Sequence, residues 1–294
     1  MLTQESAYLK QSKASPTGEA VLIRKFSMET TVFDSQYPLF DTHAHYDDAK
    51  FDEDRDTVLG SMAESGVGFI VDVGCSFESI PKAYELTRKY ENVYFSVGFH
   101  PNDAQRAEDY GTDKSLDLLR SYLKDEKCVA VGEIGLDYYW DEVGRDMQKR
   151  WFRLQLELAR EVGKPVIVHD RDAHGDTMEI LREYKDVTGI LHSFSGSPEM
   201  ASELLKLGWY ISFSGVLTFK NAARLPEVAK IVPLDRMLIE TDAPYLAPHP
   251  MRGKRNDSRL MAYTASKLAE IKGLTYGDIC RITAENAKRI YGIK

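Results

Sequence analysis

The stretch CVAVGEIGLDYYWDEVGRDMQKRWFRLQLELAREVGKPVIVHD (residues 128–170) decides the fold class of this 294-residue chain. Its two ends, 128–136 and 165–170, are apolar runs typical of β-strands that are buried on both faces. Between them, apolar residues recur every third or fourth position, which is the pattern of one helix face. The residues of that face are Met147, Trp151, Leu154 and Leu158. A strand, a helix and a second strand in this order predict a parallel β/α unit.

The same alternation continues from residue 38 to the end of the chain. The eight predicted strands are PLFDTHAH (38–45), VGFIVDVG (67–74), VYFSVGFH (93–100), CVAVGEIGL (128–136), PVIVHD (165–170), GILHSF (189–194), WYISFSG (209–215) and MLIETD (237–242). The predicted helices lie near 52–65, 79–90, 115–126, 146–162, 173–184, 198–207, 221–230, 258–271 and 276–290. Eight such units match an α/β protein of the (β/α)8 TIM-barrel type in count and size. A doubly wound open sheet is the alternative, but no G-x-G-x-x-G motif follows the first strand.

Residues 1–37 differ in composition from the rest of the chain. They mix Ser, Thr, Lys and Glu, and the sequence Pro-Thr-Gly at 16–18 interrupts them. We therefore predict a single barrel domain over residues 38–294, preceded by an N-terminal extension (1–37) that forms a flexible tail. The run VLIRKF (21–26) within the extension is a candidate for an added strand or an interface.

The composition excludes several classes of protein. With 43% hydrophobic and 29% charged residues, the chain is globular rather than disordered. Its 38 Lys and Arg against 46 Asp and Glu give a net charge of −8, which excludes a general polycationic coat for nucleic acid. The apolar runs are too short for a membrane span. Three isolated cysteines and the lack of an apolar signal segment predict a reducing compartment, by default the cytoplasm.

Ionisable side chains are concentrated near the carboxyl ends of the predicted strands. They are His43, His45, His100, Glu133, His169, His192 and Asp242. In a TIM barrel these ends converge on one rim, where the active sites of this fold lie. Each residue alone also has an ordinary explanation, such as a hydrogen-bonded core histidine or a salt-bridged glutamate. Their joint placement favours a functional site.

Together these residues contain the parts of a two-metal hydrolase centre. His43 and His45 are two positions apart in a strand and therefore face the same side, which suits a metal ion. We predict that Glu133 bridges two cations, because neighbouring cations repel each other and need a shared anion. The remaining ligands divide into two sets, His43, His45 and Asp242 for one ion and His169 and His192 for the other. A hydroxide activated by both ions would be the nucleophile. Nitrogen and oxygen ligands without cysteine fit Mg, Mn, Zn, Ni or Fe.

An anionic substrate needs cationic contacts besides the metal ions. The candidates are Arg171, which follows His169 by two residues and should share its face of the rim, and the basic run Arg252, Lys254 and Arg255 after the last strand. A solvated loop is the alternative for that run. The aromatic run Tyr138–Trp140 has two open interpretations, packing at the rim or stacking on a nucleic-acid base.

Three further residues are predicted to assist the ligands. His100, at the end of the third strand, is expected to orient phosphate or to help the leaving oxygen depart. Asp41 lies on the same strand face as His43, and Glu240 lies two positions before Asp242. We expect both carboxylates to support the ligands or to position water from behind.

The motifs that carry these residues resemble the TatD-type metal-dependent deoxyribonucleases of the amidohydrolase superfamily. The matching segments are DTHAH (41–45), VGFHP (97–101), VGEIGLDYY (131–139), PVIVHDRDA (165–173), HSFSG (192–196), SFSGVLTFKNA (212–222), IETDAPYLAP (239–248) and RGKRN (252–256). They cover nearly all of residues 38–256 in the family's order. Two departures are Asp257-Ser258, where the family usually has Glu-Pro, and the long leader.

The resemblance implies that the same six residues bind metal: His43, His45, Glu133, His169, His192 and Asp242. It also implies metal-dependent hydrolysis of DNA phosphodiesters, often from a 3′ end, with Asp242 as the general base. Other amidohydrolases use a carboxylated lysine on the fourth strand, and Glu133 at that position favours the TatD-like branch.

We therefore expect a divalent-metal-dependent DNA phosphodiesterase, a 3′-5′ exodeoxyribonuclease, with Glu133, Asp242 and His100 as catalytic residues. The first alternative is a hydrolase of a small ester, lactone or amide that uses the same centre. A non-catalytic binding protein would not need all six ligands, and a structural zinc would not leave open positions. DNA is the expected partner, and we expect a monomer with no obligate protein partner.

Overall fold

The computed structural model of the protein describes residues 35–140 and 142–294. Most of the expected extension (1–37), including VLIRKF (21–26), lies outside the described residues. The eight strands are β1 (Leu39–Ala44), β2 (Val67–Gly74), β3 (Val93–Val97), β4 (Cys128–Asp137), β5 (Val166–Arg171), β6 (Gly189–Leu191), β7 (Tyr210–Phe213) and β8 (Met237–Ile239). They pair in chain order, and each neighbouring pair is parallel. The sequential order confirms the (β/α)8 barrel and excludes a doubly wound sheet.

Helices follow the strands around the outside of the barrel. In the described part of the chain they are α1 (Arg55–Gly60), α2 (Ser79–Lys89), α3 (Ala104–Tyr110), α4 (Thr112–Leu123), α5 (Arg145–Val162), α6 (His174–Glu183), α7 (Pro198–Lys206), α8 (Leu225–Ile231), α9 (Met261–Lys272) and α10 (Tyr276–Tyr291). None of these helices is both long enough and apolar enough to cross a membrane. The predicted helix 52–65 is reduced to α1 between short 3-10 turns. The helix α3 was not predicted, because its seven residues bury only Ala104 and Ala107 and show no clear period.

The apolar side chains separate into two layers. The larger cluster lies between the strands and the surrounding helices and includes Trp151 of α5. A second cluster takes about one residue from most strands, such as Phe40, Ile167 and Leu238, and packs against Tyr291 of α10. The Tyr291 hydroxyl also donates to the Thr42 carbonyl at 2.9 Å. The helix α10 therefore covers the amino-terminal end of the barrel and leaves the opposite rim open for a site.

The strands β1 and β4 are irregular at the positions of predicted ligands. The pairing of β1 with β2 shifts register between Asp41 and Ala44, on either side of His43. The pairing of β4 with β5 shifts between Gly132 and Ile134, on either side of Glu133. Such bulges re-aim a side chain that would otherwise follow the strict alternation of a strand.

The barrel closes between β1 and β8 through a short contact rather than a full ladder. A single parallel bridge joins Ala44 and Ala243, and the Asp242 N–H donates to the His43 carbonyl at 2.9 Å. The buried Asp41 carboxylate strengthens this seam: it accepts the Thr241 and Ser258 hydroxyls at 2.6 Å each. The first strand (β1) and the last strand (β8) are thus held together next to the predicted ligands.

Candidate metal centre

The predicted ligands lie on strands and on the turns that follow them. His43 and Glu133 are in β1 and β4, and His169 is in β5. The predictions of strands over 93–100, 189–194 and 237–242 were too long, since β3, β6 and β8 end earlier. The chain turns there: Ser193 and Asp242 have φ of 38° and 58°, a region that non-glycine residues rarely adopt.

Glu133 lies at the centre of the imidazole cluster. Its Oε1 is 2.7 Å from His169 Nδ1 and 2.8 Å from His192 Nε2. Its Oε2 is 3.6 Å from His43 Nε2 and 3.9 Å from His45 Nε2. Each carboxylate oxygen therefore faces a different pair of histidines.

Asp242 completes the second of these pairs. Its Oδ1 is 3.7 Å from His43 Nε2 and 3.5 Å from His45 Nε2. The Asp242 side chain is 16% exposed, whereas the His43 side chain is fully buried. The structure thus brings the six predicted ligands together in two groups that share Glu133.

In three of the four imidazoles, the nitrogen that points away from Glu133 contacts an oxygen. His45 Nδ1 is 3.2 Å from the Val73 carbonyl, and His192 Nδ1 is 3.3 Å from Glu240 Oε1. His169 Nε2 is 3.0 Å from Asp137 Oδ2. Such an acceptor keeps the proton on the outer nitrogen, so the inner nitrogen presents a lone pair, as a metal-binding histidine must.

The facing nitrogens fit a bound cation. His43 Nε2 and His45 Nε2 are 3.1 Å apart, and His169 Nδ1 and His192 Nε2 are 3.2 Å apart. Lone pairs at this separation repel unless a proton or a cation lies between them, and the carboxylates of Glu133 and Asp242 attract a cation to the same place. The donor sets His43, His45 and Glu133, and Glu133, His169 and His192, each have all ligand atoms within 4.8 Å of one another. The residues present therefore fit divalent ions.

The electrostatics of the cluster are those of a buried negative centre. Burial disfavours protonation of His45, yet Asp242 and Glu133 outweigh it and raise its pKa to about 10. Burial also opposes ionisation of Glu133, but the neighbouring His192 and His169 hold its pKa well below the usual range. For His43, burial and His192 lower the pKa well below its ordinary value.

The two carboxylates expected to support the ligands have different positions. Glu240 is fully buried, and its Oε1 accepts the Ser193 N–H at 2.6 Å as well as facing His192. Asp41 instead holds the backbone beside a predicted ligand, because its Oδ1 accepts the N–H groups of His43 and Thr241. Burial raises the Asp41 pKa to about 7, against the hydrogen bonds that it accepts.

Asp137 is a residue of the centre that the sequence analysis did not single out. Its Oδ2 faces His169 Nε2, and its Oδ1 accepts the N–H groups of Tyr139 and Trp140 at 3.0 and 3.2 Å. A signal was available, because Asp137 lies four positions after Glu133 in the same strand and even spacings share a face.

His100 lies beside the cluster. Its ring packs edge-on against His169 with centroids 4.5 Å apart, and its Nδ1 accepts the Asn102 N–H. The Nε2 atom therefore carries the proton of the neutral ring. Burial, together with the nearby His169, lowers the His100 pKa to about 3.

The predicted cationic residues differ in their partners. Arg255 is held by Asp54, with bonds of 2.8 and 2.6 Å, and also donates to the Lys50 carbonyl. Arg252 lies over the Phe219 ring and Arg171 over the Tyr139 ring. Neither of these two forms an ion pair with any residue that the structure describes, and both are exposed.

Comparisons with known proteins agree with this geometry. The chain matches the family model described as TatD related DNase over residues 40–292. It is 45% identical over 257 residues to the metal-dependent hydrolase YabD of Bacillus subtilis (strain 168), covering 87% of this chain and 99% of the relative. The metal-dependent hydrolase YcfH of Escherichia coli (strain K12) is 41% identical over 263 residues, with 87% and 96% covered. The crystal structure of YjjV, a TatD homologue from Escherichia coli K12, superposes with a TM-score of 0.80 at 29% identity, with 87% and 98% covered.

A barrel whose strand ends collect four imidazoles and two carboxylates, together with these relatives, defines a metal-dependent hydrolase with an amidohydrolase-like fold. Within that class, the chain belongs to the TatD family.

Proposed function

We propose that this protein hydrolyses phosphodiester bonds of DNA with two divalent metal ions, and that it does so from the 3′ end, as the family resemblance implies. The two ions would be held by the two groups of ligands that share Glu133. When bound, the ions supply positive charge to the transition state and lower the pKa of water in the site towards ~7.

The observation that supports an anionic substrate is the placement of the arginines that form no ion pair among the described residues. Most arginines in the described part of the chain are paired with a carboxylate, such as Arg120 with Glu161. Those without an ion pair among the described residues are Arg145, Arg171, Arg224, Arg252 and Arg289. All but Arg289 lie on the rim that follows the strand carboxyl ends. Unpaired cations on this rim of an acidic protein favour phosphate as the bound group.

From their positions we assign roles to five residues. Asp242, partly exposed beside His43 and His45, accepts the proton of the attacking water at Oδ1. His100, a neutral ring, donates a hydrogen bond from Nε2–H to a phosphate oxygen or to the departing oxygen, which takes up the proton that Asp242 has accepted. Arg171, together with Arg252 and Lys254, binds the phosphates. Arg255 is omitted from this set because Asp54 already neutralises it.

All the proposed ligands come from one chain, so we propose that the enzyme acts as a monomer. The cytoplasmic location stays a prediction. A hydrolase of a small neutral ester, lactone or amide would use the same centre but would have no need for the unpaired arginines.

The test is hydrolysis of single- and double-stranded DNA and RNA, labelled at either end, with Mg, Mn, Zn, Ni or Fe. We expect loss of nucleotides from the 3′ end of DNA, abolished by a chelator and by Glu133→Ala. Glu157→Ala, which changes an exposed carboxylate on α5, is the matched control and retains activity. Intact DNA with every ion, alongside turnover of small esters or lactones, would overturn the proposal in favour of the alternative.

A further inference from the structure

Two large aromatic side chains are exposed at the rim beside the metal centre. Tyr139 is 54% exposed and Trp140 is 48% exposed, whereas Trp151 and Trp209 are each 1% exposed. The rings of Tyr139 and Trp140 meet edge to face, with centroids 4.9 Å apart at 88°. Exposed aromatic faces beside a candidate active site are surfaces on which a planar ligand can stack.

The backbone of this aromatic pair is fixed to the metal centre through one side chain. Asp137 Oδ1 accepts the N–H groups of both Tyr139 and Trp140, while Asp137 Oδ2 faces the predicted ligand His169. Because one carboxylate contacts both, the backbone that carries the aromatic rings is held next to the candidate metal centre rather than on a remote surface.

A cation adjoins the pair. The Arg171 guanidinium carbon is 3.8 Å from the centroid of the Tyr139 ring and 5.8 Å from that of Trp140. Arg171 follows His169 by two positions in β5 and has no carboxylate partner among the described residues. An aromatic surface beside an unpaired guanidinium matches a nucleotide, which offers a planar base and a phosphate side by side.

We propose that Tyr139, Trp140 and Arg171 form a stacking platform for an unpaired base of single-stranded DNA, with the guanidinium on the adjoining phosphate. This assignment rests on the proposed function. A base inside a duplex already stacks on its neighbours, so the platform accepts a base only from a single strand or a frayed end.

The test compares Tyr139→Ala and Trp140→Ala with the conservative Trp140→Phe and with Tyr110→Ala, which removes an exposed aromatic ring from α3. For single-stranded oligothymidylate, we expect each platform alanine to raise KM by between about 5- and 150-fold, the loss typical of one base stack. The kcat value should change less. Trp140→Phe should restore most of the affinity, and Tyr110→Ala should keep the wild-type KM.

Two further measurements separate stacking from a structural effect. The preference for oligothymidylate over an oligomer of abasic residues should fall in the platform variants. Tryptophan fluorescence should be quenched by a hydrolysis-resistant phosphorothioate oligothymidylate, because Trp140 is exposed and the buried Trp151 and Trp209 are out of reach.

Hydrolysis of single-stranded DNA with an unchanged KM in both alanine variants would overturn the platform and leave the proposed function standing. An equal rate on abasic and base-bearing strands by the wild-type enzyme would do the same. Absence of DNA hydrolysis in the wild-type enzyme would overturn the proposed function and the platform with it.

Discussion

Replacing Asp137 with asparagine should weaken metal binding without disturbing the fold. The Asp137 carboxylate faces His169 Nε2 at 3.0 Å and would hold the proton there when metal is bound, so that Nδ1, 2.7 Å from Glu133 Oε1, can present its lone pair to the ion. The asparagine amide would instead offer an N–H to Nε2. The proton of the neutral ring would then move to Nδ1, the atom that would bind the metal.

The size of the effect follows from the partners that remain. The asparagine carbonyl still accepts the N–H groups of Tyr139 and Trp140, so the loop keeps its position and only the His169 contact changes. Loss of a carboxylate that orients a metal-binding histidine typically costs about 10- to 100-fold in affinity, or ~1.4–2.7 kcal/mol.

The assay is a competition between the protein and a chromogenic chelator for Zn or Mn, followed by turnover at increasing metal concentration. We expect one of the two proposed ions to bind about 10- to 100-fold more weakly in Asp137→Asn and an excess of metal to restore activity. The control is Asp170→Asn, since Asp170 makes a comparable contact of 2.8 Å with His174, which is not in the centre. Equal metal affinity in Asp137→Asn and the wild type would refute the role given to His169.

Three other predictions concern the centre, the seam and the rim. Glu133→Gln should lose most of its bound metal and all activity while its circular dichroism remains native, because both proposed ions would be held by this carboxylate. Retention of both ions in a metal analysis would contradict this. Asp41→Ala should lower the free energy of unfolding in urea by at least ~3 kcal/mol, because it removes the acceptor of two buried hydroxyls and two N–H groups. An unchanged midpoint of urea unfolding would rule out a role of Asp41 in closing the barrel. The double variant Arg252→Ala/Lys254→Ala should raise KM for DNA and make KM depend less steeply on salt concentration. Arg255→Ala should change KM little. If Arg255→Ala raised KM as much as the double variant, the assigned phosphate contacts would be wrong.

Hydrophobic periodicity in the sequence was sufficient to predict the architecture of the barrel. The strand predicted at 67–74 coincides with β2, and the helix predicted at 146–162 differs from α5 by one residue. Both elements have long, regular patterns that depend only on which face is buried. The convergence of the predicted ligands then followed from the fold, because parallel strands of a barrel end at one rim.

Local backbone departures could not be predicted from the pattern. The register shifts beside His43 and Glu133 and the positive φ of Ser193 and Asp242 break the regularity on which sequence analysis depends. They occur at candidate ligands, where tertiary contacts outweigh local preference. The ion pair of Arg255 could not be predicted either, since its partner Asp54 lies 201 positions away in the chain.

The seam between the first and last strands has a consequence for biosynthesis. Asp41 and Thr241, 200 positions apart, join only when β8 docks against β1, and the same event delivers Asp242 to His43. A ribosome-bound or truncated chain that lacks β8 therefore has no complete place for its ions. The ion group that includes Asp242 is therefore complete only after the barrel has closed, which keeps an incomplete product from forming the full metal centre.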